Sequence, residues 1–375
     1  MHTREEDNMK QKIVRVLLAA CLAAFLLGGC GSAGEKAETG ETAAQNTQAV
    51  QETQVTQETE EVQETQETQE AQETQDTPEA QETPSTKPAQ DRSGNAIAIP
   101  ENVEKIVSMA PSVTEILVDL GYADKIVACD TYSGYSAFAA SLSPDIPQFD
   151  MMAPDNEAIV ALSPDIVFTT GMSYAGGDDV YSAVKSAGIC VADIPSSASI
   201  SDIEEDMTFI ADAVGAGDKV REITAQMDDF AADAKAVADG ISDKKTVLYV
   251  MSVPTPDYPD VYTCGKGTYM DEVFSMIGAE NIAGDVDYQW PALSEEDIIS
   301  KNPDVIIVGD TYTENAVDAI LSIDAWKDVT AVKDKAVYAI DGDAFNQPNQ
   351  YVMNSAYDIA QYMYPDAYAG LNKPF

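Results

Sequence analysis

From about residue 94 onward, short β-branched runs alternate with helical segments, and one uninterrupted helix divides that alternation into two halves. The runs fall at 105–108, 125–128, 165–168 and 188–191, and segments 112–120, 157–162 and 178–187 between them carry apolar residues at helical spacing. Such alternation builds an α/β layer with a mostly parallel sheet, because crossover helices cover the sheet's faces. Residues 218–238 then run without Pro or Gly, and Val220, Ile223, Met227, Phe230 and Ala234 step by three or four. This predicts one helix about 30 Å long at 1.5 Å per residue. Alternation restarts at 246–250, 305–308 and 336–340. The expected fold is therefore two α/β lobes with mostly parallel central sheets, at 93–215 and 243–375, bridged by a long helix within 216–242, with a ligand cleft between the lobes.

The halves also share a sequence pattern. Glu157, Pro164 and Asp165 recur as Glu296, Pro303 and Asp304, each at an offset of 139 residues. In each copy an acid sits in the first turn of a short helix, where the macrodipole favours it, and a proline ends that helix before the next strand. Asn156 and Ser294 are the expected N-caps.

Charge and residue scarcity exclude several functions. Among 375 residues, 65 acids face 21 bases, for a net charge of −44. Such a surface repels phosphate backbones and argues against nucleic-acid binding. The single histidine, His2, lies upstream of a segment expected to be removed, which excludes Ser-His-Asp, Cys-His and His-metal chemistry from the mature chain. Cys129, Cys190 and Cys264 are 61 and 74 residues apart and form no CxxC, so neither a disulfide framework nor a zinc site is indicated.

Lys10, Lys12 and Arg15 precede an apolar run from Val16 to Leu27, too short to span a bilayer, so 1–29 reads as a signal peptide. Leu27-Gly28-Gly29-Cys30 resembles the lipobox of bacterial lipoproteins, which implies a lipid on Cys30 and a place on the outer face of the cell membrane. Residues 30–92 form a Gln/Glu/Thr-rich linker with almost no large apolar side chain to offset the entropy of ordering.

The stretch from Ile99-Pro100 through Ile106-Val107-Ser108-Met109-Ala110-Pro111-Ser112 resembles the opening of the substrate-binding lipoproteins of ABC importers for cobalamin, ferric siderophores and haem. Gly265-Lys266-Gly267-Thr268-Tyr269, Gly278-Ala279-Glu280-Asn281 and Trp290-Pro291-Ala292-Leu293-Ser294 resemble that family's second lobe, in family order. The resemblance implies a monomeric binding protein and not an enzyme. It has no cofactor of its own, and it works with a dimeric permease and a cytoplasmic ATPase. It also implies that Glu157 and Glu296, one per lobe, dock onto arginine pockets of the permease.

Ligands of open α/β sheets sit beyond the carboxyl ends of the strands. The loops there offer Tyr132, Tyr135, Met172 and Tyr174 in the first half, and Tyr258, Tyr288, Trp290, Tyr312 and Phe345 in the second. Flat apolar faces with polar tips suit a large, rigid ligand, and Trp290 beside Pro291 leads the set. Gly265-Lys266-Gly267 is too short for a phosphate loop and reads as a turn. Lys266 is the one base in these loops, whereas a catecholate iron complex needs clustered bases. Haem would need Tyr in place of His. A corrinoid fits best, and a neutral ferric chelate next. Two other readings remain: a surface adhesin or sensor subunit, and a secreted hydrolase, although no G-x-S-x-G occurs in the sequence.

Overall fold

A computed structural model describes residues 87–174 and 176–375. The expected signal peptide, Cys30 and most of the linker lie outside the described residues.

The first lobe contains β1 (Ile106–Ser108), α1 (Pro111–Asp119), β2 (Ile126–Asp130), β3 (Gln148–Phe149), α2 (Asn156–Leu162), β4 (Ile166–Thr170), α3 (Ser182–Ser186) and β5 (Cys190–Ile194). Its sheet is wholly parallel, in the order β3-β2-β1-β4-β5. β1 is buried at all three positions and β4 at four of five. Helices covering both faces of a parallel sheet require such continuous apolar runs. α1 opens on Pro111, at a position whose N–H would find no helical partner anyway.

Two helices connect the lobes, α4 (Ile200–Val214) and α5 (Gly217–Ala238). The expected long helix is α5, which buries Val220, Met227, Phe230, Ala234 and Ala238 and leaves Ile223 half-buried. α4 was not among the expected elements. It buries Ile200, Ile203, Met207 and Ile210 along one stripe, opens on a reciprocal Ser199–Asp202 capping box, and ends at Gly215 with φ 89°.

The second lobe contains β6 (Thr246–Val250), β7 (Val261–Tyr262), α6 (Tyr269–Met276), β8 (Glu280–Asn281), β9 (Ala292–Leu293), α7 (Glu295–Lys301), β10 (Val305–Val308), α8 (Ala316–Leu321), α9 (Thr330–Lys333), β11 (Val337–Ala339), α10 (Gly342–Asn346) and α11 (Val352–Met363). Its main sheet is parallel, in the order β11-β10-β6-β8, and β7 and β9 form a separate antiparallel pair. Read in the opposite direction, β8-β6-β10-β11 repeats the path β2-β1-β4-β5 of the first lobe. In both sheets the chain fills one side of the first strand and then crosses to the other. The carboxyl ends of β1/β4 and β6/β10 are therefore topological switch points.

The sequence repeat is a structural repeat. Each copy is a seven-residue helix, α2 or α7, closed by a left-handed residue (Ser163, φ 51°; Asn302, φ 46°) before its proline. Asp165 then accepts the backbone N–H of Lys105 (2.9 Å), and Asp304 accepts that of Thr246 (2.8 Å), so each aspartate ties its strand to the first strand of its sheet. Ser294 caps α7 in a box with Asp297. The cap of α2 is Asp155, not Asn156. The Asp155 side chain accepts the Ala158 N–H (3.0 Å), while Asn156 lies inside the helix and donates to the Val180 carbonyl.

The main apolar core runs through both lobes, from Ile106 and Leu117 through Val220 and Phe230 to Val247 and Phe345. Residues 87–92, expected to belong to the linker, are part of the fold. Arg92 pairs with Asp206 (2.6 Å) and Glu205 (2.8 Å), and the Lys87 ammonium donates to the Ala213 carbonyl (3.0 Å). Cys129, Cys190 and Cys264 are free thiols, Cys129 and Cys264 buried and Cys190 half-buried. Among the described residues no helix is long and apolar enough to cross a membrane.

Candidate functional site

The loops at the switch points are held by aspartates, Asp130 fully buried and Asp310 half-buried. After β2, the Asp130 carboxylate accepts the N–H groups of Tyr132 (2.8 Å) and Ser133 (3.0 Å) and the Ser133 hydroxyl. Ser133 continues to the Thr114 hydroxyl (2.9 Å), and Thr114 donates to Ser108 at the end of β1 (2.8 Å). All four side chains are fully buried. Burial pushes the Asp130 carboxyl up to about 6, against the opposing pull of the Ser133 bonds. After β10, Asp310 accepts Tyr312 N–H (2.9 Å), Thr313 N–H (3.0 Å) and the Thr313 hydroxyl (2.8 Å), and also the Val253 N–H in the loop after β6 (2.9 Å).

Aromatic side chains stand above these turns. Tyr135 is 51% exposed and Tyr312 42%. The Tyr312 hydroxyl is pushed upward first by burial, then by electrostatic interaction with Asp343, Asp310 and Tyr135. Tyr288, Tyr258 and Met172 are also exposed. Tyr132 is half-buried against the core under the first sheet. Tyr174 is half-buried too, with the Lys185 ammonium 5.5 Å from its ring centre. Trp290, the leading candidate from sequence, is half-buried and packs on the main core.

Phe345 is a correction. It was expected to face the ligand, but it is fully buried. α10 turns its ring inward, edge-on to Tyr249 (5.0 Å between centres) and Phe274 (5.8 Å).

The same region is acidic. Asn349, fully buried, donates to Glu115 on α1 (2.7 Å), and Gln350 donates to Asp119. Burial pushes the Glu115 carboxyl up to about 7; the Asn349 bond opposes this, and the charges of Asp119, Asp343 and Asp341 add to it. Asp343 is raised by burial and by Asp341. Lys266 pairs with Asp287 (3.3 Å). Among the described residues, no three His, Cys, Asp or Glu side chains gather as a metal site.

Glu157 and Glu296 are both exposed, each the second residue of its helix. The sequence reading missed Asp130, Asp310 and Glu115. The first two had a signal: Asp130-Thr131-Tyr132-Ser133 and Asp310-Thr311-Tyr312-Thr313 are nearly the same string, but 180 residues apart and not 139.

The family model described as periplasmic binding protein matches residues 106–344. A Bacillus subtilis protein described as an uncharacterized ABC transporter substrate-binding lipoprotein, YvrC, is 31% identical over 280 residues, covering 74% of this chain and 85% of that protein. A cobalamin-binding protein of Halobacterium salinarum is 29% identical over 264 residues, covering 69% of each chain. The molybdate-binding protein MolA of Haemophilus influenzae has the same fold, with a TM-score of 0.64 at 21% identity over 76% of this chain and 93% of that one.

Proposed function

The chain belongs to the periplasmic binding protein family, and on that premise we propose that it is the extracytoplasmic substrate-binding subunit of an ABC importer, one that captures a corrinoid and hands it to a membrane permease. The observation that carries the ligand class is the character of the cleft rim. Tyr135 and Tyr312 offer flat, polar-tipped faces, Glu115, Asp341 and Asp343 lie in the same region, and the lysines of this region are engaged: Lys266 pairs with Asp287, Lys185 with Asp179, and Lys219 donates to the Asp119 carbonyl. An anionic chelate would meet like charge there and no arginine to offset its desolvation. A corrinoid carries a ring of primary amides, and their N–H groups suit carboxylate acceptors. The cobalamin-binding relative supports the same class.

Thermal shift of the full chain with cyanocobalamin, haemin and ferrichrome tests this. A ligand that binds the folded state alone stabilises it by about 2.7 kcal/mol at a hundredfold excess over Kd. Cyanocobalamin should raise the melting temperature. A rise with haemin only would overturn the corrinoid assignment, and a rise with ferrichrome only would transfer it to a neutral ferric chelate.

Glu157 and Glu296 are the docking acids in this reading. They are exposed, one per lobe, on structurally repeated helices, as a two-fold permease requires. The double variant Glu157→Ala/Glu296→Ala should keep ligand affinity and lose uptake by cells. Cys30 is the proposed lipid anchor, and Cys30→Ser should abolish incorporation of labelled palmitate.

A further inference from the structure

The two tyrosine-bearing turns are built alike, although the helix repeat does not relate them. In each, an aspartate at or just beyond a strand's carboxyl end takes the N–H two residues on, the N–H three residues on and the hydroxyl three residues on, and the residue two on is a tyrosine (Tyr132, Tyr312). Asp341 shows the difference. It accepts the Asp343 and Ala344 N–H groups, but the third residue on is an alanine with no hydroxyl to add. Both turns are also tied to the first strand of their own sheet or to the loop that follows it, by different means. Asp130 reaches the end of β1 through Ser133, Thr114 and Ser108, and Asp310 reaches the loop after β6 directly through the Val253 N–H. Each switch point is thus fastened to a tyrosine ledge.

We propose that Asp130 and Asp310 are matched positioning residues, which fix Tyr132 and Tyr312 as paired ledges for the ligand, one on each lobe. The inference rests on the reading of the cleft as the binding site. Neither aspartate touches the ligand. Each stops its turn from sampling other conformations, so that the tyrosine is presented at little cost in ordering on binding.

The test uses the full chain with Asp130→Ala, Asp310→Ala, Asp130→Asn and Asp310→Asn. Three quantities are read: amide hydrogen exchange at 132–133 and 312–313, nitration of Tyr312 by tetranitromethane, and affinity for whichever of cyanocobalamin, haemin and ferrichrome the wild type binds. Asp310→Ala should speed exchange at 312 and 313 at least tenfold with β10 unchanged, alter the rate of Tyr312 nitration, and weaken the probe at least tenfold. Asp310→Asn keeps a carbonyl acceptor and should recover most of each. If Asp130→Ala does not fold, Asp130→Asn and the Asp310 pair decide. Unchanged exchange in Asp310→Ala overturns the proposal, as does faster exchange with unchanged affinity. If the wild type binds none of the three probes, the ligand assignment fails separately. Exchange and nitration then judge the positioning role, and unchanged nitration in Asp310→Ala overturns it.

Discussion

Glu115 ties the first lobe to the second through Asn349, and its carboxyl is raised from 4.5 to about 7. The perturbation to make is Glu115→Gln. In the unfolded chain this glutamate ionises at its ordinary value; in the folded chain burial and the charges of Asp119, Asp343 and Asp341 hold the proton on. The folded state therefore binds the extra proton, and its contribution to stability is present below about 4.5 and lost as pH rises through about 7. At 1.36 kcal/mol for each tenfold change in proton affinity, a sealed site would cost about 3.4 kcal/mol at pH 7.5. Glu115 is only half-buried, and solvent screening brings this to roughly 1.5–2 kcal/mol. Glutamine keeps the acceptor for Asn349 and removes the charge. The variant should melt about 3–8 °C above wild type at pH 7.5, at roughly 2–4 °C per kcal/mol for a chain of this size, and within about 1–2 °C of it at pH 5. Differential scanning fluorimetry at the two pH values reads this directly. Equal stabilisation at both, or none at pH 7.5, would refute the electrostatic account of the lobe contact.

Two further perturbations test the packing around α10. Phe345→Ala removes a fully buried ring from between Tyr249 and Phe274 and should cost about 3–5 kcal/mol in urea denaturation. A direct ligand contact, by contrast, would cost affinity with little stability. Gly342→Ala places a β-carbon on the Gly309 carbonyl oxygen, a backbone atom with no rotamer to move aside, so the variant should melt several degrees lower or fail to accumulate as soluble protein.

The strands and the bridging helix were legible because burial on both faces demands unbroken β-branched runs, and burial on one demands a stripe every three or four residues. α4 has such a stripe in Ile200, Ile203, Met207 and Ile210. The sequence reading assigned no element between 191 and 218, and only Gly215 and Ala216 separate α4 from α5. β3, β7, β8 and β9 have two residues each, too few for any period to show. The exposed rim tyrosines were found because aromatics in strand-end loops are conspicuous. Phe345 misled for the same reason, since its place after Asp341-Gly342-Asp343 looks like a loop until α10 turns it inward. The contact between Glu115 and Asn349 spans 234 positions, and no local pattern encodes it.

The close approach of Gly309 and Gly342 separates what the cleft can change from what it cannot. A β-carbon at Gly342 would strike the Gly309 carbonyl oxygen, and one at Gly309 would strike the Tyr249 ring, so neither position has room for a side chain. The tyrosines of the turns above them meet no such limit, and Tyr312 is open to solvent. A lineage carrying this scaffold can therefore exchange its rim to greet a new guest while the pedestal beneath is inherited unaltered, so kinship in the pedestal alone does not identify the cargo.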